Sequence, residues 1–332
     1  MANSKNPSSQ SKLIAITGPT GVGKTTFINL VTGSSLKVGT SLQSCTDKIQ
    51  VARCIMGGEL ITLIDTPGFD DTFKSQADVL KDIADFLEQT YEKGRKLTGV
   101  IYMHRISDFR VGGIARENFR LFTKICGDDA MKNVIIVTTM WEDVPEDVGE
   151  RRERELSSKP IFFKDAIDNG ARMMRLRHDH ISAENAIIPF LRRAPEALLM
   201  QRELVDQRKQ LPNTAAGIEL RSELEEQKKR HRKEMQELRR DRDDAMAKKD
   251  AVHREEMRTI QDEYEKLQNQ LRTVQEELRR LKSKDRTQKP KGKYSLTRAG
   301  GMIPSNDGST KVIYVTRYRR GSGCLSGDGF EL

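Results

Sequence analysis

The sequence contains few cysteines, few aromatic residues and no long apolar run. Its 332 residues include only four cysteines, and no pair of them has the spacing of a zinc site. Such scattered thiols exclude a disulfide framework and indicate a reduced, intracellular protein, which we expect to be cytoplasmic. No stretch approaches the ~18 consecutive apolar residues of a membrane span, so no transmembrane segment is predicted. The cysteines are Cys45, Cys54, Cys126 and Cys324.

An excess of positive charge is also missing from most of the chain. The net charge is +9, but much of it lies in the tail 286–332, with nine basic and three acidic residues. The segment 219–285 is nearly balanced, and residues 13–218 have no basic excess. We therefore expect no specific nucleic-acid partner. The basic tail has the charge to attract an anionic partner nonspecifically.

What the sequence does contain, between residues 13 and 195, is an alternation of strand-like apolar runs with helix-like amphipathic stretches. The helix-like stretches lie near 24–32, 75–92, 113–126 and 147–168. This alternation predicts an α/β fold with a mostly parallel sheet between two helical layers. Two strands around the Gly57–Gly58 turn predict one antiparallel hairpin, which places one antiparallel strand at the sheet edge.

A different pattern begins at about residue 219. Apolar residues at 3-4 spacing form a heptad seam, and charged residues occupy the other positions. A second seam upstream has a different phase, with the break near 253–256, so we predict an α-helical coiled coil over 219–285. The segment 211–217 is the expected hinge, and the Gly-, Ser- and Lys-rich tail is expected to be mostly disordered. Residues 311–320 have strand propensity, but the sequence supplies no partner strand. The downstream seam consists of Met257, Ile260, Tyr264, Leu267, Leu271, Val274, Leu278 and Leu281.

Residues 18–25, GPTGVGKT, fit the G-x-x-x-x-G-K-[ST] pattern of a P-loop, between a strand and a helix. The glycines let backbone N–H groups wrap a phosphate, and the helix N-terminus adds partial positive charge. Lys24 is expected to reach the β- and γ-phosphates, and the Thr25 hydroxyl to bind Mg²⁺. The pattern thus predicts a P-loop NTPase three-layer sandwich. Its predicted nucleotide-binding residues are Gly18, Pro19, Thr20, Gly21, Val22, Gly23, Lys24, Thr25 and Thr26.

A second phosphate motif follows 41 residues after Lys24. The apolar run LITLID ends in Asp65, the position of a carboxylate that acts on the magnesium shell. Asp65-Thr66-Pro67-Gly68 matches the D-x-x-G of GTPases, in which Gly68 turns its N–H toward a γ-phosphate. The two motifs together predict GTP/GDP and Mg²⁺ as ligands.

These residues carry a resemblance. GPTGVGKT with DTPGFDDT resembles the AIG1-type G domains, a group related to GTPases of immunity-associated proteins, septins and chloroplast import receptors. HRISDFRVGG (104–113) is similar to an uncharacterised fungal branch of that group. The resemblance implies that Thr46, 19 positions before Asp65, closes over Mg²⁺; Thr40 is the competing candidate. The predicted organisation is a disordered N-terminus (1–11), a G domain (12–195), a helix and hinge (196–218), the coiled coil (219–285) and the basic tail (286–332).

Base recognition departs from the usual N-K-x-D of GTPases. The resemblance implies Thr139 in the first position and Glu142 in the fourth, with Asp143 as the adjacent alternative. A carboxylate there accepts from guanine N1–H and N2–H₂, which adenine cannot satisfy. Met140 or Trp141 would cover the base, although Trp141 packing beneath the loop is an equal alternative. In the loop after the strand ARMMRL (171–176), we expect Arg177 or His178 to lie near the base, and we select His178.

Hydrolysis is the open question, because Phe69 stands where Ras-like enzymes have a water-orienting glutamine. Three residues after the strand GVIYM are candidates for the missing group: His104, Arg105 and Arg110. An arginine from a second protomer would supply positive charge at the transition state. The competing interpretation is that Arg105 and Arg110 form structural ion pairs. The leading hypothesis is a GTP-binding switch with slow or dimerisation-dependent hydrolysis, and a homo-oligomer through the G domain, the coiled coil or both. The alternatives are a scaffold that binds nucleotide without turnover and, with less support, an ATPase.

Overall fold

The computed structural model is built on a mixed eight-stranded sheet with helices on both faces. It describes residues 11–34, 49–68, 74–108, 112–247, 253–283, 294–304 and 310–320. The strands are β1 (Lys12–Thr17), β2 (Gln50–Met56), β3 (Glu59–Asp65), β4 (Gly99–Arg105), β5 (Val134–Thr139), β6 (Arg172–Arg175), β7 (Tyr294–Pro304) and β8 (Thr310–Arg320). The helices are α1 (Lys24–Thr32), α2 (Gln76–Glu92), α3 (Gly113–Cys126), α4 (Glu146–Ser158), α5 (Lys164–Asp168), α6 (His180–Leu191), α7 (Leu199–Gln201), α8 (Ala215–Ala247) and α9 (His253–Ser283).

The order of the strands in the sheet is β6-β5-β4-β1-β3-β2-β8-β7. The neighbours from β6 to β3 pair in parallel, and β2 pairs antiparallel with β3 through the Gly57–Gly58 turn. The predicted fold class is confirmed: from β6 to β2 the sheet is mostly parallel with one antiparallel strand, in the P-loop GTPase fold. The antiparallel strand β2 is not at the sheet edge, where it was predicted, because β8 and β7 continue the sheet beyond it, also antiparallel. Because parallel strands end at one edge of the sheet, the residues that follow β1, β3, β4, β5 and β6 meet there.

Each face of the sheet buries a separate core. Along β1, Leu13 and Ala15 point to one side and Ile14 and Ile16 to the other, as the two-residue period of a strand requires. The first side packs against α2 and α3, together with parts of the C-terminal helices. The second side packs against α1 and α6. These two cores make the three layers.

One predicted helix is divided in two. The stretch predicted as helical near 147–168 forms α4 and α5, with a turn at 159–163 between them. Pro160 lies in this turn, and proline lacks the N–H that a continuous helix needs.

The junction at 211–217 differs from the expected hinge. Pro212 and Thr214 are buried, and a Cβ on Gly217 would stand 2.0 Å from the Leu211 carbonyl oxygen. The buried Glu203 carboxylate accepts the Ala215 N–H at 3.1 and 3.2 Å. A segment with this much buried polar bonding is a packed corner, which fixes the start of α8 against α3.

The heptad region forms two helices that pack on each other within the chain, where we expected a coiled coil able to link protomers. Tyr264, Leu271, Val274 and Leu278 of the seam are buried, and the Arg239 guanidinium of α8 contacts the Tyr264 hydroxyl of α9. Val274 and Leu278 also join the core that contains α2 and α3. The seam therefore has a partner inside the same chain. We call α8 and α9 together the helical hairpin.

The tail also differs from the prediction over part of its length. β8 pairs antiparallel with β2, from Gln50↔Arg317 to Arg53↔Tyr314, and β7 pairs with β8. The strand-forming residues 311–320, for which the sequence supplied no partner strand, therefore pair with the backbone of β2. Within the described part of the chain, no helix has both the length and the apolar character of a membrane span.

Candidate functional site

The P-loop joins the end of β1 to α1 and lies against β4. Gly18 has a φ of 140°, and a Cβ placed on it would stand 2.4 Å from the backbone oxygen of Met103. Gly23, the residue before α1, has a φ of 91°. Both positions therefore exclude side chains, because the loop turns tightly beside a neighbouring strand.

The N-terminus of α1 has no side-chain cap. Gly23 occupies the N-cap position, whereas Ser75 and Asp179 cap α2 and α6 through hydrogen bonds from the N–H groups of Asp78 and Ser182. Uncapped N–H groups at a helix start can donate hydrogen bonds to a phosphate, and the helix dipole favours the negative charge of the phosphate. α3, with Gly112 at its N-cap, also lacks a side-chain cap, so the open start of α1 points to a phosphate only together with the P-loop that precedes it.

The Lys24 ammonium lies across this loop. Its Nζ donates to the carbonyl oxygens of Gly18 and Pro19, both at 2.8 Å, and the residue is 7% exposed. The charge is thus held at the position where the loop carbonyls and the α1 N-terminus meet. This is the arrangement that the P-loop pattern predicts for a lysine that binds phosphate.

Thr25 and Asp65 form a buried pair that fits a divalent cation. The Thr25 hydroxyl donates to Asp65 Oδ2 at 2.8 Å, while Oδ1 is buried and has no hydrogen-bond partner among the described residues. Burial raises the pKa of Asp65 to about 6, against the lowering effects of Lys24 and of the Thr25 hydrogen bond. A buried carboxylate oxygen without a partner, beside a hydroxyl, is a suitable ligand set for Mg²⁺.

The D-x-x-G motif begins directly after Asp65. The Thr66 N–H and hydroxyl both donate to the Ile16 carbonyl oxygen, at 3.2 and 2.9 Å, which fixes the start of the motif beside β1. Gly68 is buried and is the last described residue before 74. Phe69 lies outside the described residues, as do Thr40 and Thr46 of the predicted magnesium loop.

The predicted base loop touches the P-loop directly. The Thr139 hydroxyl donates to the Val22 carbonyl oxygen at 3.1 Å. Met140 adopts a left-handed φ of 58°, and its terminal methyl carbon lies 3.9 Å from the Cβ position of Gly23. Met140 therefore lies over the P-loop beside Gly23. Of the two residues predicted to cover the base, Met140 and Trp141, it is the one that contacts this loop.

The carboxylates of the base loop remain open to ligands. Glu142 and Asp143 are both exposed, in a short 3₁₀ turn that also contains the buried Trp141. His178 and Arg177 are exposed in the loop after β6, the strand beside β5. The fold thus places both predicted base-contacting loops at the same edge as the P-loop.

The three candidates for the missing catalytic group have different surroundings. The Arg105 guanidinium lies 3.5 Å from the Cβ position of Gly21 and pairs with Asp108 at 3.1 Å. His104 differs from the prediction: it is 2% exposed, its ring lies edge-on to Phe163, and burial lowers its pKa to about 4. Side chains alternate along β4, so His104 continues the face of Val100 and Tyr102, and Arg105 continues the opposite face, with Ile101 and Met103. Arg110 lies outside the described residues.

Several residues that shape the site were missed by sequence reasoning. Met103 limits the P-loop through its backbone, for which the sequence gives no signal. Arg175 and Gly149 contact Trp141 of the base loop. A glycine inside a helical pattern is a known sign of close packing, so Gly149 had a signal that could have been used.

The sheet, the uncapped α1 and the Thr25–Asp65 pair define the P-loop GTPase fold. Residues 13–139 match the family model described as 50S ribosome-binding GTPase.

Two curated relatives each align with about two fifths of the chain. GTP-binding protein A of Dictyostelium discoideum is 28% identical over 134 residues, 40% of this chain and 29% of its own length. Translocase of chloroplast 90 of Arabidopsis thaliana is 30% identical over 128 residues, 38% of this chain and 16% of its own length. The chain thus spans less than a third of either relative.

Among solved structures, Toc33 from Arabidopsis thaliana with Mg²⁺ and GMPPNP is 19% identical, with a TM-score of 0.43 over 55% of this chain and 86% of that one. Era from Aquifex aeolicus, bound to GDP and AlF₄⁻, is 18% identical, with a TM-score of 0.41 over 55% of this chain and 57% of that one.

Proposed function

We propose that this protein binds GTP and GDP with Mg²⁺ and acts as a nucleotide switch whose hydrolysis is slow or depends on dimerisation. The observation that carries the proposal is the buried Thr25–Asp65 pair, with its unpartnered carboxylate oxygen, beside Lys24 and the open N-terminus of α1. Thr25 and Asp65 would hold the metal, which supplies charge neutralisation at the β- and γ-phosphates. The name of one curated relative, GTP-binding protein A, agrees with this proposal.

The choice of guanine rests on the exposed carboxylates of the base loop. Glu142, or the adjacent Asp143, would accept from the guanine N–H groups, while Met140 and His178 cover the base from two sides. The D-x-x-G motif and the resemblance to AIG1-type and septin-like G domains support GTP over ATP.

Turnover is the weaker part of the chemistry in this chain. Phe69 has no group to orient water, and the buried, neutral His104 lies beside Phe163 rather than at the loop. Arg105 stands next to Gly21, so it is the described candidate for stabilising charge on a phosphate. Arg110 and an arginine from a second copy remain candidates of the same kind.

Binding of labelled GTPγS, GDP and ATPγS to the full chain tests the proposal. We expect a preference for the guanine nucleotides and loss of binding in Lys24→Ala. A preference for ATPγS would contradict the GTP assignment, and unchanged binding by Lys24→Ala would contradict the role of the P-loop.

Single-turnover hydrolysis over a range of protein concentrations separates a switch from a static scaffold. A rate that rises with protein concentration supports dimerisation-dependent hydrolysis, and Arg105→Ala is expected to reduce it at unchanged GTPγS affinity. The absence of GDP at every concentration would favour the scaffold.

A further inference from the structure

Trp141 lies at the centre of the base loop, yet its ring is buried beneath the loop. It is 8% exposed, while its neighbours Glu142 and Asp143 are exposed. Its indole N–H donates to the Thr138 carbonyl and hydroxyl oxygens, at 3.2 and 3.1 Å. The Thr138 hydroxyl lies 3.3 Å from the Met174 carbonyl oxygen of the next strand. The tryptophan therefore ties the loop to both β5 and β6.

Arg175 packs against the ring of Trp141. The guanidinium carbon lies 4.3 Å from the ring centroid, a cation–π distance. Three glutamates on one face of α4 hold this guanidinium: Glu153 through Nε and Nη2, Glu146 through Nη1 at 3.1 Å, and Glu150 at 3.7 Å. Arg175 therefore has little freedom to leave the ring.

Gly149 of α4 contacts the same ring. A Cβ on Gly149 would stand 2.6 Å from the ring, and a glycine inside a helix otherwise costs about 1 kcal/mol relative to alanine. The ring thus occupies the space that an alanine side chain would need. Arg175, Gly149 and the Thr138 acceptors together form what we call the tryptophan clamp.

We propose that the tryptophan clamp positions the carboxylate that selects guanine, so that Arg175 and Gly149 determine base specificity without touching the nucleotide. Trp141 is the residue directly before Glu142, and the loop between Met140 and Val144 has no other buried side chain among the described residues. A shift of the ring must therefore move the carboxylates. Because a hydrogen bond to a base edge depends on placement within a few tenths of an ångström, such a shift would weaken binding of guanine more than binding of phosphate. This inference rests on the proposed function.

The chain contains a single tryptophan, so its fluorescence reports on the clamp alone. We expect the emission of Trp141 to change when GTPγS is added to the full chain and to respond much less to ATPγS. Binding of labelled GTPγS and labelled ATPγS gives the dissociation constants of both nucleotides, and their ratio is the selectivity.

Two variants perturb the clamp from different elements. Arg175→Lys removes the flat guanidinium, and Gly149→Ala pushes against the ring while improving helix propensity. We expect each to reduce the GTPγS-to-ATPγS selectivity about tenfold, with ATPγS affinity unchanged, and to shift the Trp141 emission. Arg172→Lys, an exposed change in the same strand, is the matched control and should leave selectivity unchanged.

The outcomes separate this inference from the proposed function. If the wild-type chain shows no preference for GTPγS, the proposed function fails before the clamp is tested. If the wild type prefers GTPγS and both clamp variants retain that ratio despite a shifted emission, the inference is overturned. A variant whose thermal unfolding shows loss of the fold is replaced by Glu153→Gln, which weakens the hold on Arg175, keeps the Trp141 emission and should lower the selectivity in the same direction.

Discussion

His104 shows how a single buried side chain gives the fold a pH dependence. Burial lowers its pKa from 6.5 to about 4, so the folded state holds it neutral. The unfolded chain binds a proton below about pH 6.5 and the folded state does not until about pH 4, so stability is complete above this window and is lost as the pH falls through it.

We expect His104→Phe to reduce the acid sensitivity of the fold. The wild-type free energy of unfolding should fall between pH 6.5 and pH 4 by an amount on the order of 3 kcal/mol from this group, and the variant should lack that part. Urea unfolding at several pH values measures it. The same substitution at the exposed His178 should leave the wild-type profile, and an unchanged profile in His104→Phe would contradict the assignment.

Gly18 is the residue at which local geometry limits the site most strongly. Gly18→Ala would place a methyl group 2.4 Å from the Met103 oxygen at a φ of 140°, so the loop must move to accept it. We expect GTPγS binding to be lost and the melting temperature to fall. Gly94→Ala is the matched control, because its φ is 71° but nothing lies within 4 Å of the new methyl. It should cost about 1–2 kcal/mol and leave binding intact.

At the scale of elements, the contact between α3 and α8 contains the buried acid Glu223 beside the half-buried Glu117. Burial and a hydrogen bond with Glu117 raise the pKa of Glu223 to about 9, and Arg120 offsets this only in part. A carboxyl group with a raised pKa favours the folded state at low pH, and its contribution is lost as the pH rises from about 4.5 toward 9. The α3–α8 contact should therefore weaken as the pH increases.

We expect Glu223→Gln to raise the melting temperature, with a gain that grows from pH 5 to pH 9. The amide keeps the shape and hydrogen bonding of a protonated carboxyl group but cannot ionise. Thermal unfolding across this range measures the gain, and Glu226→Gln, at an exposed position of the same helix, is the control. Equal effects of the two substitutions at all pH values would rule out the pair of Glu223 and Glu117 as the cause.

At the scale of the whole molecule, the helical hairpin is docked on the G domain by apolar burial more than by charge. Leu278 is 4% exposed and belongs to the core that includes α2 and α3. The nearby ion pair between Arg280 and Asp78, at 3.1 Å, is largely exposed. Burial of a leucine is worth several times an exposed ion pair, so the apolar contact is expected to dominate.

We expect Leu278→Ala to destabilise the chain by about 2–5 kcal/mol and Arg280→Ala by less than about 1 kcal/mol. Hydrogen exchange should show that the leucine variant opens α9 and the facing part of α2 before the sheet. Comparable losses for both variants would mean that charge contributes more to docking than the burial suggests.

The sequence predicted the parts of the fold that follow from local patterns. The alternation along residues 13–195 gave the mixed sheet, because strand and helix periods are properties of neighbouring residues. The P-loop and D-x-x-G motifs named Lys24, Thr25 and Asp65, which the structure brings together at the edge of the sheet. The hinge and the disordered tail were predicted from composition, and the coiled coil able to link protomers from its heptad spacing. Neither composition nor spacing shows which surfaces meet.

By itself, the amino-acid sequence determined that this chain builds a phosphate-binding loop, because glycine spacing and the uncapped start of α1 are local properties. Tertiary structure decided which of His104 and Arg105 faces the loop. Alternation along β4 puts the two side chains on opposite faces of the sheet, but only the packing of helices and loops on each face determines which one is buried and which one meets the P-loop. It also decided that the heptad seam packs against other helices of the same chain and that Trp141 is buried beneath the base loop. These outcomes depend on contacts between residues far apart in sequence, and such contacts exist only in the folded molecule.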